Sequence, residues 1–507
     1  MLSELPDYFK NLQIKRLKSL CFILCVGLLA GCGGDKGKSE TTGKDEVVIA
    51  TDSDLKALDP MKNWSSSSYY IYWTCYDRLV GYDEETGELV PELAKSWEIS
   101  EDGMKYTFHL RDDVKWHDGS DFTAEDVKYT VERGIETGCG IYPSVSHATI
   151  IDSYTIEFNM LEPNSLIMDK QWNGDACIIK KDCGDDIAQN VMGTGAYKIK
   201  EWVTGDHLTI EANPDYWGEQ PKVKTIKFVT MPEANTRLVS VQSGDVDAAP
   251  IAAANVKQAS ADKNLTVLSK ESTQLNYIGL NVNYKPLGNK LVRQAIASAL
   301  DKDSIIQAQL EGHGSVVNTM VPPSIGGHDA SVKGYEYNVE KAKELLKEAG
   351  YGDGFKLELS LVAGKHDLAA QVIQSNLKEI GIEVTLKPME ATAFTDYQNT
   401  NQAQMTIGYR SSSNADFYVK IMHSDNIKQG RNAVGYSDAE MDKLIDETYI
   451  AMGEERDAIY AKIQQKMNEE AVAIPLYTST VFAVVQKDLK GVDLLSTSGI
   501  DFSGIYY

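Results

Sequence analysis

The sequence predicts a mixed α/β fold, and two stretches carry that expectation. Residues 95–108 alternate apolar and polar side chains around Asp102-Gly103, the pattern of a β-hairpin with one face buried. Phe355, Leu357, Leu359 and Leu361 alternate in the same way. They lead into Ala369, Val372, Ile373, Leu377 and Ile380, which share one face of a helix, and Ile382, Val384 and Leu386 return as a strand. Such a strand–helix–strand run implies parallel pairing with a right-handed crossover.

Caps mark the helices between these strands. In Phe122-Thr123-Ala124-Glu125-Asp126-Val127, Thr123 is placed to cap, Asp126 sits three residues on, and Phe122 can staple onto Val127. Asp367 is expected to cap the crossover helix and Gly381 to close it. Residues 338–350 and 437–451 read as two more capped amphipathic helices, and no internal repeat is visible.

The N-terminus predicts export. Lys15, Arg16 and Lys18 precede an apolar run from Leu20 to Ala30. That run falls short of the roughly 20 residues that span a bilayer, so it reads as a signal peptide. It ends in Leu29-Ala30-Gly31-Cys32, which resembles the bacterial lipobox. In that signal the cysteine becomes the first mature residue and carries the lipid. Residues 1–31 are therefore the expected signal peptide and Cys32 the expected anchor (palmitate among its acyl chains) on the outer face of the cell membrane. Residues 32–46 contain no large apolar side chain after Cys32 and read as a flexible tether. Gly37-Lys38-Ser39 within it resembles the end of a P-loop, but Cys32 stands where that motif needs glycine.

Charge and cysteines narrow the function. The net charge is −24, and residues 1–31 hold four positive against two negative side chains, leaving −26 for a chain starting at Cys32. Such a field repels nucleic acid. Cys75, Cys139, Cys177 and Cys183 fall in the folded part without a CxxC pair, so no zinc site is expected. A Cys177–Cys183 disulfide and free thiols are both open. Catalytic signatures are missing: there is no HExxH, GxSxG, GxGxxG or complete P-loop, and the eight histidines show no ligand-like spacing.

A run of motifs carries a resemblance. Ala94-Lys95-Ser96-Trp97-Glu98, Tyr106-Thr107-Phe108-His109-Leu110-Arg111 and Val114-Lys115-Trp116-His117-Asp118-Gly119 precede the capped helix at Thr123. Then follow Gly193-Thr194-Gly195-Ala196-Tyr197, Asn213-Pro214-Asp215-Tyr216-Trp217, Gln242-Ser243-Gly244-Asp245, Gly279-Leu280-Asn281, Val292-Arg293-Gln294-Ala295 and Ile474-Pro475-Leu476-Tyr477. In this order they resemble the family 5 extracellular solute-binding proteins, the oligopeptide, dipeptide and nickel receptors of ABC importers.

The resemblance implies two lobes around a cleft that closes on ligand. Lobe I would be residues 47–76, 193–270 and 477–507, with an inserted subdomain at 77–192, and lobe II would be residues 271–476. The implied function is a monomeric, lipid-anchored receptor, not an enzyme, that captures peptides or peptide-like solutes for an ABC permease and needs no cofactor. A nickel-chelate receptor is the alternative within the family, although no histidine falls in residues 408–416 and the nearest is His423. A secreted hydrolase or sensor is the alternative of a different class. Trp97, Phe108, Trp116 and Tyr197 are expected in the core.

The resemblance also suggests where ligand is held. Peptide-binding relatives place an acid after a Gly-Trp-like strand end to pair with the ligand's amino terminus. Here the segment reads Gly408-Tyr409-Arg410-Ser411-Ser412-Ser413-Asn414-Ala415-Asp416. Ser412 to Asn414 hold the aligned place, so Asp416 is expected to supply the anion, with Tyr409 nearby. Arg410 is expected to be able to take a carboxylate bidentately. Trp64, Ser65, Ser66 and Ser67 are expected across the cleft, where hydroxyls can bond an extended backbone without reading side chains. Asn276 and Tyr277, at the start of lobe II, are expected to face the cleft.

Overall fold

The computed structural model describes residues 44–507, apart from residues 56–57, 63–65, 84–87, 184–186, 188–190, 429, 497–498 and 503 and the side chain of Ser66. Within them an eleven-stranded mixed sheet runs through two lobes. Its spine is a pair of long antiparallel strands, Leu265–Leu280 and Ala473–Gln486. On one side lie Ala248–Ile251, Glu46–Thr51, Thr225–Thr230, His207–Ala212 and Tyr197–Val203. On the other lie Met405–Arg410, Phe355–Val362 and Ile382–Met389, and the short strand Gly314–Val316 pairs with Ala473–Gln486 off this path.

The spine carries an irregularity between the two sides. Its ladder runs from Leu265↔Gln486 to Glu271↔Thr480, shifts, and resumes at Leu275↔Thr478. In the gap Thr273 N–H leaves the ladder and donates to Ser496 O at 2.7 Å. A bulge of this kind bends and twists a strand pair locally.

The predicted crossover forms. Phe355–Val362 and Ile382–Met389 are parallel from Phe355↔Ile382 to Val362↔Met389, and helix Asp367–Glu379 buries Ala369, Ala370, Ile373 and Leu377 against them. One detail differs: His366 is the N-cap and Asp367 the first helical residue. The Asp367 carboxylate turns back to accept Gly364 N–H at 3.2 Å, so it braces the preceding turn instead of the helix end.

The hairpin and its capped helix build a separate four-stranded antiparallel sheet, ordered Ala94–Ile99, Lys105–Leu110, Thr155–Met160 and Val145–Asp152. Trp97 pairs with Phe108, and Gly103 takes the left-handed turn conformation at φ +67. Helix Ala124–Thr137 covers this sheet, with Asp126 Oδ2 accepting Thr123 N–H at 2.9 Å in a capping box. Phe108, Trp116, Phe122 and Phe158 are buried together, and each such ring contributes about 1.5–3 kcal/mol by leaving water. Phe108, Trp116 and Tyr197 are therefore core, whereas Trp97 is half-buried at the edge of the cluster.

Two further motifs meet at Asp77. Thr194 Oγ1 and Trp217 Nε1 both donate to its carboxylate at 2.8 Å. Gly193 is fixed by closeness, because a Cβ there would lie 1.7 Å from Cys75 O. Cys75 and Cys177 are buried free thiols, and Cys177 Sγ donates to Gly174 O at 3.0 Å instead of bridging to Cys183.

Candidate ligand-binding cleft

Helix Ser66–Cys75 is almost wholly aromatic and hydroxylic, and its two faces divide the work. Tyr70 stacks on Phe228 in the core at 5.7 Å. Tyr69 and Trp73, one turn apart, line open space instead. Opposite them the strand Met405–Arg410 ends and the chain turns into Ser411–Ser413.

Two adjoining cavities of about 800 and about 860 Å³ lie between these walls, each the size of a small-molecule site. They share Tyr69, Asp175 and Ser411. The first extends to Tyr277, Arg410, Phe417, Lys420 and Arg431. The second extends to Trp73, Arg78, Glu92, Trp172 and Ser413.

Direct bonds tie the walls together beside the cavities. Ser413 Oγ donates to Asn173 Oδ1 at 2.6 Å. Ser165 donates through its N–H to Tyr449 O at 2.7 Å and through its hydroxyl to Ala451 O at 2.8 Å. Arg456 holds Asp169 with both arms of its guanidinium, at 2.7 and 3.1 Å. This is the bidentate geometry that makes arginine–carboxylate pairs strong.

The lining charges are unequally satisfied. Arg78 lies 4.1 Å over the Trp73 ring and 2.8 Å from Glu92, whose carboxyl burial pushes up to about 7 against the pull of that guanidinium. Arg410 lies 4.2 Å over Phe417 and donates to Phe417 O at 2.8 Å, while its buried Nε has no partner among the described residues. Asp175 Oδ1 is buried and accepts no hydrogen bond among the described residues. Burial pushes the Asp175 carboxyl up to about 6, opposed by a hydrogen bond from its own backbone N–H and then by the charge of Lys170.

The residues singled out from sequence separate into groups. Arg410 and Tyr277 line the first cavity. Tyr409 follows the alternation of its strand onto the other face, half exposed and 6.2 Å from the His366 ring. Asn276 is buried in the ladder, donating to Tyr477 O at 3.4 Å. Asp416 is only 3% exposed, lines neither cavity, and is held by Lys420 Nζ at 3.3 Å. Ser67 is buried, its hydroxyl accepting from Ser53 Oγ at 3.1 Å, and Ser66 opens the helix that carries Tyr69. Cys32, Trp64 and Ser65 lie outside the described residues.

Sequence reasoning missed Trp73, Trp172 and Asp175. The spacing of Tyr69 and Trp73 on one helical face was a usable signal. Asp175, an acid set directly before the apolar run Ala176-Cys177-Ile178-Ile179, carries no such local signal.

Comparisons with known proteins agree with this architecture. The family model of the bacterial extracellular solute-binding proteins, family 5 Middle, matches residues 88–428. The dipeptide-binding protein of Escherichia coli is 28% identical over 488 residues, covering 88% of this chain and 91% of that protein. HbpA2 from Haemophilus parasuis superposes with a TM-score of 0.84 at 25% identity, over 91% of this chain and 99% of its own. The periplasmic binding protein DppA from Helicobacter pylori, in complex with the peptide STSA, superposes with a TM-score of 0.75 at 27% identity, over 91% of this chain and 98% of its own. With more than half its length matched by that family model, the chain belongs to the bacterial extracellular solute-binding proteins of family 5.

Proposed function

We propose that this cleft captures a peptide or peptide-like small solute outside the membrane and that the protein delivers it to an ABC import permease. One observation supports this most: two joined cavities between tied walls, lined by aromatic rings and by polar atoms without hydrogen-bond partners among the described residues. Relatives bearing the names dipeptide-binding protein and DppA, the latter with a bound tetrapeptide, support the ligand class. Binding, not catalysis, is the role.

Within this reading, lobe I comprises residues 47–76, 193–270 and 477–507, the inserted subdomain 77–192, and lobe II 271–476. The shifted ladder at residues 271–275 is the natural place for the lobes to hinge. Trp64 and Ser65, just before helix Ser66–Cys75 in the sequence, and Ser66 and Ser67 within it are assigned to the ligand on this reading; Tyr277 and Arg410 belong to the facing wall, with Asn276, Tyr409 and Asp416 supporting it. Cys32 carries the lipid, and the protein acts as a monomer on its tether. Replacing Cys32 by Ala should then release the protein from membranes with unchanged melting; retention on the membrane would contradict the anchor.

Tri-alanine tests the receptor reading. At a hundredfold excess over Kd it should raise the unfolding free energy by about 2.7 kcal/mol, and the scattering radius should contract. Turnover of peptides without stoichiometric binding would point to a hydrolase instead.

A further inference from the structure

Asp175 stands where the two cavities meet, and its situation differs from that of the other lining acids. Glu92 is held by Arg78 at 2.8 Å, and the exposed Asp493 lies 4.0 Å from Lys270. Asp175 forms no ion pair among the described residues, and its Oδ1 is buried without a donor. Around it stand Tyr69, Lys170, Cys139, Tyr142 and Cys177, of which only Lys170 carries a positive charge.

A half-buried carboxylate with one oxygen dehydrated and no ion pair is costly unless something else supplies the charge. The cleft is open to a solute at this point. On the reading that the cleft is a solute site, we propose that Asp175 receives the positively charged group of the ligand, an ammonium or guanidinium. The rest of the ligand then extends toward Arg410 and Arg431 in the adjoining cavity, which suits a zwitterion with its anionic end there. Arg431 is exposed and forms no ion pair among the described residues. Asp416 has a buried, unpartnered Oδ1 as well, but it pairs with Lys420 through Oδ2 and lines neither cavity, so it does not meet a solute in the cleft as it stands. The specificity element is thus on the wall built by residues 166–175, across from the segment that the family resemblance indicates.

Calorimetry with five probes tests the assignment: tri-alanine, arginine and putrescine, against N-acetyl-tri-alanine and succinate. The wild type should bind at least one of the three cations and neither of the other two. Asp175→Asn and Asp175→Ser should each weaken that binding by about thirtyfold or more, the scale of one lost partner in a buried charge pair. Asp416→Asn, which alters only the wall behind the cavity, should weaken it far less than either Asp175 variant. The acetylated peptide probes the same contact on unaltered protein, so the test survives a variant that fails to fold. Equal binding by wild type and both Asp175 variants, or by free and acetylated tri-alanine, overturns the assignment while leaving the receptor reading intact. A wild type that binds none of the five overturns the receptor reading and the assignment with it.

Discussion

On one wall of the cleft, Asp169 is gripped by Arg456 and, a few residues on, Asp175 forms no ion pair among the described residues. On the other wall, Asp416 is buried but matched by Lys420. Burial alone therefore does not distinguish a structural acid from a binding one; the presence of a resident counter-charge does. A paired carboxylate is costly to strip of its partner and has little left to offer a solute. An unpaired one destabilises the empty protein and gains most when a cation arrives.

The largest expected effect falls on the paired side. Arg456→Ala would strand Asp169 between the walls, and removing one partner of a fully buried pair costs about 3–5 kcal/mol. Both side chains keep some solvent access, 18% and 23%, so the loss should lie near the low end, about 2–4 kcal/mol in urea unfolding. A loss under about 0.5 kcal/mol, typical of exposed pairs, would show that the pair does not tie the walls.

Next in size is the opposite sign at Asp175. Asp175→Asn removes a dehydrated charge and should stabilise the ligand-free protein by roughly 1–3 kcal/mol at pH 7. Its folded carboxyl, at about 6, sits above the ordinary 3.8, so protonation favours the folded state. That contribution is fully present below about pH 4 and is lost as pH rises to about 6. The advantage of Asp175→Asn over wild type should therefore grow across that window and level off above it. A constant difference from pH 4 to 7 would contradict the buried, unpaired carboxylate.

Smallest is Asp416→Asn. Lys420 is 30% exposed and can rehydrate, so the variant should lose only about 1 kcal/mol in the same unfolding experiment. Should Asp416→Asn stabilise the protein and Asp175→Asn destabilise it, the two acids would have exchanged roles.

The hairpin at residues 95–108 and the crossover at residues 355–389 were legible because their signal is local: a period of two, a period of 3.6, and a turn residue between. The cap at Thr123 was legible for the same reason. Asp367 misled because an aspartate ahead of an apolar helix serves equally as a cap or as a brace for the turn before it, and only the backbone angles separate the two. The motif aromatics Phe108, Trp116 and Tyr197 carry the resemblance because they are core. Arg410 and Tyr277 could be anticipated from the strand ends that carry them. Asp175 could not, because its lack of a counter-charge arises only where residues 166–175, helix Ser66–Cys75 and the turn at Ser411 come together. For Asp416 the obstacle was reversed: its partner, Lys420, was visible one turn away, but nothing local marked it as facing inward.

The most direct test is a crystal structure with the tightest-binding cationic probe of the panel. The account predicts a single molecule between the walls, with its positively charged nitrogen about 3 Å from Asp175 Oδ1, at hydrogen-bond distance. A probe bound outside the cleft, or one whose nitrogen sits against Asp416 after displacing Lys420 and leaves Asp175 untouched, would contradict it.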